Sequence, residues 1–173
     1  MRILSWNIQG GGGRRVTAIV NTLLSHDADA LVLGEFHPKA KDRALLEQLT
    51  SSGYTFQATG AQRSNEDNIT VLVASRLPFE QQPFDEPQNA EASAQFAHRA
   101  VRMRFGSFIL IGIYFPPNMQ QRSLFEYMLR HSATWLAQES MVIGDFNTGI
   151  HPIDAQGSRL PCEKEFAALS KAG

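Results

Sequence analysis

A carboxylate and a carboxamide stand two positions apart in the stretch Gly144-Asp145-Phe146-Asn147, which follows the apolar residues 141–143. In a strand, alternation would put Asp145 and Asn147 on one side, about 6 to 7 Å apart, and Phe146 on the other. Two such groups can hold a water molecule or a metal-bound phosphate between them. The alternative interpretation is an ordinary exit from a strand, in which Asp and Asn only close a turn.

Polar side chains also end three other apolar, strand-like segments, at Asn7, Glu35 and Tyr114. The ends of strands in a rigid sheet can hold several such groups around one substrate. Carboxylate and amide oxygens suit a hard cation such as Mg²⁺ or Mn²⁺, which leaves room for water and phosphate oxygens. The single cysteine, Cys162, provides no thiolate cluster for zinc and no internal disulfide. This set of side chains indicates phosphoester hydrolysis.

Chain length and net charge indicate a single globular domain with no strong overall attraction to nucleic acid. A chain of 173 residues, 43% of them apolar, suits one globular domain. With 16 basic and 17 acidic residues the formal net charge is −1, so a polyanionic substrate would need local basic groups or bound cations.

No apolar stretch has the length of a signal peptide or a membrane span, and we expect a cytoplasmic protein with no membrane partner. Glycines 10–13 lack the Gly-Lys-Ser/Thr ending of a P-loop, which argues against nucleotide binding by that route.

The spacing of apolar residues predicts a mixture of strands and helices. Strand patterns cover residues 3–8, 30–35, 54–56, 69–75, 100–105, 108–114 and 141–143, with Gly106-Ser107 closing a hairpin. Helical spacing begins at Val16 and recurs around Leu45, from Leu124 to Leu136, and around Phe166. Residues 79–97 show little apolar periodicity and are predicted to form an irregular excursion, and Trp135 is predicted to pack in the core.

The polar groups at the strand ends also carry a family resemblance. Four motifs resemble, in order, those of the endonuclease/exonuclease/phosphatase superfamily: Ser5-Trp6-Asn7, the acid Glu35, Tyr114-Phe115-Pro116-Pro117 and Gly144-Asp145-Phe146-Asn147. That group includes deoxyribonuclease I, abasic-site endonucleases, inositol-polyphosphate 5-phosphatases and neutral sphingomyelinases. The resemblance implies an α/β fold, a four-layer sandwich of two mainly antiparallel sheets flanked by helices, with the site at one end. We expect residues 1–173 to form a single domain of this type.

The resemblance also implies a role for each side chain. Glu35 would be the principal ligand of Mg²⁺ or Mn²⁺, and Asn7 a second ligand or an orienter of the water on the metal. Asp145 would position or deprotonate the attacking water, and Asn147 would hold the phosphate and that water in line. Tyr114 would donate a hydrogen bond to a phosphate oxygen. Asn68 and Asn118, each next to a strand end, are the predicted substrate-binding residues in the bordering loops.

Two departures from the family pattern affect this interpretation. Gly34 stands beside the acid where relatives usually have Gln, and no Ser-Asp-His motif follows Asn147. We therefore expect a chain that is incomplete at its C-terminus, without the strands and the histidine that relatives have. Among the histidines present, His37 is the best substitute, because it lies two residues beyond Glu35. The other histidines are His26 at the end of a predicted helix, His98 at the start of a predicted strand, His131 in a predicted helix and His151 in the loop after Asn147.

Three functions are compatible with the sequence. The leading hypothesis is a divalent-metal-dependent phosphodiesterase that hydrolyses nucleic acid. The first alternative is a phosphatase or a lipid phosphodiesterase of the same fold. The second alternative is a catalytically incomplete module that binds phosphate-bearing ligands or a partner protein. The sequence leaves the oligomeric state open.

Overall fold

The computed structural model describes residues 1–38, 43–60, 69–84, 90–117, 121–154, 156–157 and 159–172. The strands in these residues are β1 Ile3–Asn7, β2 Ala30–Phe36, β3 Phe56–Thr59, β4 Thr70–Ser75, β5 Glu80–Gln82, β6 Ala100–Phe105, β7 Phe108–Tyr114 and β8 Ser140–Asp145. The α-helices are α1 Val16–Ser25, α2 Arg43–Ser51, α3 Ala90–Arg99, α4 Gln121–Leu136 and α5 Glu163–Ala172.

The strands form two four-stranded sheets with the orders β1-β2-β4-β3 and β5-β6-β7-β8. In the first sheet β1 and β2 are parallel and the other two pairs are antiparallel. The second sheet also has two antiparallel pairs and one parallel pair, which is β7 with β8. Because parallel strands end at the same edge of a sheet, each sheet presents two carboxyl-terminal strand ends side by side.

Apolar side chains form three layers, which confirms the predicted four-layer sandwich. Helices α1 and α2 cover the outer face of the first sheet, where Leu31 and Leu33 are fully buried. Helices α3, α4 and α5 cover the outer face of the second sheet, around Phe96 and Phe125. The third layer, between the sheets, contains Val32 and is here called the middle layer. Strand alternation explains this division, because neighbouring residues of β2 face opposite layers.

Gly112 lies where the two sheets approach closely. A Cβ added at this position would be 3.0 Å from side-chain carbons of both Val32 and Val73 on the opposite sheet. Such a distance is shorter than ordinary van der Waals contact between carbon atoms. The missing side chain of Gly112 therefore permits the observed spacing of the sheets.

The prediction of an irregular excursion over residues 79–97 is wrong. Strand β5 and most of α3 lie in this segment, and His98, predicted to begin a strand, belongs to the end of α3. The residues of β5 are all polar, so they lack the alternation that marks a half-buried strand. Helix α3 is rich in alanine, which favours helix strongly but adds little to an apolar stripe. Its fully buried anchor is Phe96, which stacks on Tyr127 with ring centroids 4.5 Å apart.

Helices α1, α2 and α4 each bury one face, as their spacing predicts, whereas Phe166 and Leu169 of α5 pack half-buried against the second sheet's outer layer. Helix α1 buries Val16, Ile19, Val20 and Leu23, and Trp135 of α4 is only 6% exposed, which confirms its predicted core position. In the described part of the chain, no helix has both the length and the apolar character needed to cross a membrane.

Candidate active site

Three predicted site residues from three strands and both sheets meet at one point. The Nδ2 atom of Asn7 donates hydrogen bonds to Glu35 Oε1 at 2.9 Å and to Asp145 Oδ2 at 2.7 Å. Asn7 and Glu35 come from the carboxyl ends of β1 and β2, whereas Asp145 ends β8 in the other sheet. One amide group thus links two carboxylates across the end of the sandwich.

Glu35 reaches this point through an extra residue in its strand. Leu33 pairs with Leu72 and Phe36 pairs with Thr70, so three steps along β2 match two steps along β4. Glu35 has a φ of 60°, in the left-handed region that non-glycine residues rarely adopt. The bulge shifts the alternation, and Phe36 joins Leu33 in the outer layer. The Glu35 side chain therefore does not pack in the outer layer and instead accepts a hydrogen bond from Asn7.

Asp145 reaches the same point by regular alternation along β8. Ile143 packs against the middle layer, and Asp145, two residues later, is on the same face. Between them Gly144 has a φ of 150°, and an added Cβ there would overlap the carbonyl oxygen of Ile113 on β7. The second carboxylate oxygen of Asp145, Oδ1, accepts the backbone N–H of Asn147 at 2.9 Å. Asp145 thus closes a turn with one oxygen and meets Asn7 with the other.

Asn147 lies outside the strand, contrary to the predicted alternation. Strand β8 ends at Asp145, and Asn147 has a φ of 48°. Its Nδ2 atom donates to the carbonyl oxygen of Phe115 at 2.6 Å, and its own carbonyl oxygen accepts from Gln121 Nε2 at 3.0 Å. Gln121 is fully buried and was not predicted to support the site. A polar first residue of an amphipathic helix gives no signal in sequence that its side chain is buried.

Tyr114 lies beside Asp145, with which it pairs between β7 and β8. It is 5% exposed and belongs to the middle layer. A Cβ added at Gly34 would be 3.4 Å from Tyr114 Cδ2 and 3.8 Å from atoms of Asn7 and of Asp145. Gly34 therefore lies at the centre of the cluster. Arg99, which the sequence analysis did not single out, places its Cζ atom 5.7 Å from the centroid of the Tyr114 ring.

Of the remaining predicted residues, two lie outside the described part of the chain, and the histidines His37 and His131 contact other parts of the fold. Asn68 and Asn118 lie outside the described residues. His37 Nε2 lies 4.0 Å from the Cβ position of Gly10 and so borders the glycine-rich loop that follows β1. His131 packs on the ring of Tyr127 in α4, with centroids 4.4 Å apart.

A cavity of about 250 Å³ opens beside Asn7, between β1 and α1. Its lining includes Trp6, Gln9 and Arg15, and Trp6 is 38% exposed. Arg15 Nη2 donates to the carbonyl oxygens of Ile8 at 3.1 Å and Gln9 at 2.8 Å. Arg15 therefore fastens the beginning of the glycine-rich loop next to the site.

The donor set fits a hard divalent cation. Two carboxylates face one neutral amide, which donates hydrogen bonds but leaves their charges uncompensated. Within the described ranges no group of three or more His, Cys, Asp or Glu side chains is arranged to hold a metal. Mg²⁺ requires no such group, because one or two carboxylates suffice when water and phosphate complete its coordination. Asn7 Oδ1 accepts the Gln9 N–H at 2.8 Å, so the geometry favours Asn7 as an orienting group over Asn7 as a ligand.

Known proteins share this sequence pattern and this fold. The sequence model of the Endonuclease/Exonuclease/phosphatase family matches residues 4–159. A 3'-5' exonuclease (NExo) from Neisseria meningitidis is 18% identical, with a TM-score of 0.73 over 100% of this chain and 72% of that chain. A 3' phosphatase NExo from Neisseria, bound to product DNA hairpin, is 17% identical, with a TM-score of 0.69 over 99% and 70% of the two chains. An AP endonuclease from Archaeoglobus fulgidus is 14% identical, with a TM-score of 0.68 over 99% and 69%. No curated protein sequence matches the chain.

Proposed function

Because the chain belongs to the endonuclease/exonuclease/phosphatase family, we propose that it is a divalent-metal-dependent phosphoesterase that hydrolyses nucleic-acid phosphodiester bonds. The single observation that carries the proposal is the meeting of Glu35 and Asp145 at the Asn7 amide. Two carboxylates held at the exposed end of a rigid sandwich suit a reaction that needs both a cation and a base for water.

Mg²⁺ or Mn²⁺ is the proposed cofactor, and Glu35 is its proposed principal ligand. When bound, the cation would neutralise charge that develops on the phosphate and on the leaving oxygen. The Asn7 amide, held by the Gln9 N–H, fixes the orientation of both the Glu35 and the Asp145 carboxylates. Without these hydrogen bonds both carboxylates would be free to rotate, and the preformed arrangement removes that ordering cost from the binding step.

Asp145 is the proposed base for the attacking water. Its Oδ1 atom is held by the Asn147 N–H at 2.9 Å, which stops the carboxylate from rotating and leaves Oδ2 at the cluster. A base held in this way can orient a water molecule and accept its proton during attack on phosphorus. Tyr114 is proposed to donate its hydroxyl hydrogen to a phosphate oxygen, and Asn147 to hold the phosphate in line.

Nucleic acid is the proposed substrate class because two structural neighbours are described by their action on it. One is named an AP endonuclease, and another is bound to product DNA hairpin. The net charge of −1 means that attraction to the phosphate backbone has to come from local groups. Arg15, which lines the cavity beside Asn7, is one such cation near the site.

A panel of substrates tests the proposal. We expect the 173-residue chain to hydrolyse single-stranded or duplex DNA, RNA or bis(p-nitrophenyl) phosphate in Mg²⁺ or Mn²⁺, and a chelator to stop the reaction. Glu35→Gln is the matched control for the metal, because it keeps the side-chain length and removes the charge. Calorimetry should show weaker Mn²⁺ binding by this variant, by about one to two orders of magnitude. A chain that binds Mn²⁺ and leaves every phosphoester intact would overturn the proposal in favour of a binding module.

A second candidate is a phosphomonoesterase, which the neighbour described as a 3' phosphatase favours. The same panel decides between them if it includes an oligonucleotide that ends in a 3' phosphate. Release of inorganic phosphate without loss of nucleotides would support the monoesterase, and shortening of the strand would support the phosphodiesterase.

A further inference from the structure

Arg99 is attached to the site more firmly than a surface arginine. Its Nη1 atom donates to the carbonyl oxygen of Ile69 at 2.5 Å, and its Cζ atom lies 5.7 Å from the centroid of the Tyr114 ring. A guanidinium at that distance from an aromatic face is within the range of a cation–π interaction. Arg99 therefore bridges the beginning of β4 in one sheet and the end of β7 in the other.

The backbone at Arg99 is held equally firmly. Helix α3 ends at Arg99 and β6 begins at Ala100, so no loop separates the two elements. Thr70 Oγ1 donates to the carbonyl oxygen of His98 at 2.6 Å, and both atoms are buried. An added Cβ at Gly60 would overlap these two oxygens, so only glycine permits the approach. The position of the guanidinium is thus determined by buried contacts on both sides.

We propose that Arg99 is a positioning residue that holds the Tyr114 phenol in the orientation required to donate to the phosphate. This inference rests on the proposed function, because it assigns Tyr114 a contact with substrate. A Cβ at residue 34 would lie 3.4 Å from Tyr114 Cδ2, so glycine at this position gives the ring room beside Asn7. The guanidinium of Arg99 supplies a fixed, planar and charged surface for the ring. Arg99 and Tyr114 therefore act as one unit.

Kinetic coupling between the two residues tests this unit. We expect Arg99→Met and Tyr114→Phe each to lower kcat about tenfold, with KM changed less than threefold, because each removes the same oriented phenol. In the double variant kcat should fall no further than in Tyr114→Phe alone. Fully multiplicative losses, or a raised KM with unchanged kcat in Arg99→Met, would overturn the proposal and make Arg99 an independent contact to the substrate.

Arg99→Gln and Arg104→Met complete the set of variants. Arg99→Gln retains a donor for the Ile69 carbonyl and lacks the charge, so it remains informative if Arg99→Met fails to fold. We expect it to lose kcat as Arg99→Met does, and wild-type kcat in a folded Arg99→Gln would contradict the inference. Arg104→Met is the matched control, because Arg104 forms an exposed ion pair with Glu80 near the opposite end of β6. Its kcat should remain within twofold of the wild type.

A spectroscopic measurement separates this inference from the proposed function. The chain contains three tyrosines, so a chain labelled with 3-fluorotyrosine gives three ¹⁹F resonances. Tyr114→Phe identifies the resonance of that ring. We expect Arg99→Met and Arg99→Gln to shift or broaden this resonance, and Arg104→Met to leave it in place. An unmoved Tyr114 resonance would overturn the positioning role even if the enzyme is active. A moved resonance in a chain without activity would retain the contact and reject the proposed function.

Discussion

Glu35 and Asp145 face the same amide group but arrive there by different backbone routes. Asp145 follows the regular alternation of β8, so the register of the second sheet places its side chain. Glu35 is the extra residue of a bulge in the first sheet and has a left-handed φ of 60°. The position of Asp145 is therefore a property of the whole sheet, whereas that of Glu35 depends on local backbone strain. Four substitutions test how far this difference extends, from the largest expected effect to the smallest.

Asp145→Asn should cause the largest loss of activity. The amide keeps the size of the side chain but cannot accept a proton from water, so kcat should fall about 10³-fold. Because β8 places the side chain by alternation, the melting temperature should remain within a few degrees of the wild type. Steady-state kinetics and thermal unfolding measure the two quantities. A loss of less than tenfold would exclude Asp145 as the proposed base.

Gly144→Ala should damage the fold on the Asp145 side. The added methyl group would overlap the carbonyl oxygen of Ile113 in the neighbouring strand, at a φ of 150°. We expect the free energy of unfolding to fall by about 3 kcal/mol or more. Gly106→Ala is the control, because Gly106 also has a positive φ, 61°, but no atom lies within 4 Å of its Cβ position. It should cost about 1 kcal/mol. Equal losses in urea denaturation would show that overlap with β7 is unimportant.

Glu35→Asn should stabilise the protein while lowering its activity. Asparagine tolerates the left-handed region better than glutamate, and its neutral side chain removes the repulsion with Asp145. Glu35→Gln removes the same charge and keeps the strained backbone preference. The difference in free energy of unfolding between the Asn and Gln variants therefore isolates the backbone contribution, which should be about 0.5 to 1 kcal/mol in favour of Asn. Equal stabilities would mean that the bulge stores no strain at Glu35.

Asp27→Asn, at the opposite end of the first sheet, should have the smallest effect on stability and activity. There Arg76 Nη1 lies 2.7 Å from Asp27 Oδ1, and this hydrogen bond lowers the pKa of the exposed Asp27 below its ordinary value of 3.8. A carboxyl group with a lowered pKa stabilises the fold at pH values above its pKa in the unfolded chain. That contribution disappears as the pH falls through the lower pKa of the folded state. The small difference in stability between the wild type and Asp27→Asn should therefore be constant near neutral pH and vanish in acid. Unchanged kcat in Asp27→Asn would confirm that the two ends of the sheet are independent.

Sequence patterns predict the parts of this molecule that depend on regular alternation and spacing. The strands that carry Asn7, Tyr114 and Asp145 are of this kind, and so is the order of the motifs that placed the chain in its family. The bulge at Glu35 was not predictable, because alternation alone would have assigned that side chain to the outer layer.

Arg99 and Gln121 were missed for a related reason. Arg99 ends a helix whose small apolar residues gave no periodic signal, and its partners Ile69 and Tyr114 are 30 and 15 residues distant in sequence. The buried position of Gln121 depends on backbone oxygens of Asn147 and Phe146 that only the folded chain brings near. Contacts of this type follow from tertiary packing and leave no local pattern.

Under the proposed function, the hydrogen bond between Asn7 and Asp145 makes the spacing of the two sheets important for turnover. This hydrogen bond holds only while the sheets keep their present separation, and the contact of Gly112 with Val32 and Val73 limits that separation deep in the middle layer. A larger residue at position 112 would force the sheets apart and draw Asp145 away from Asn7 without touching either. If the proposed function holds, substitutions at the apolar residues of the middle layer affect turnover as well as folding.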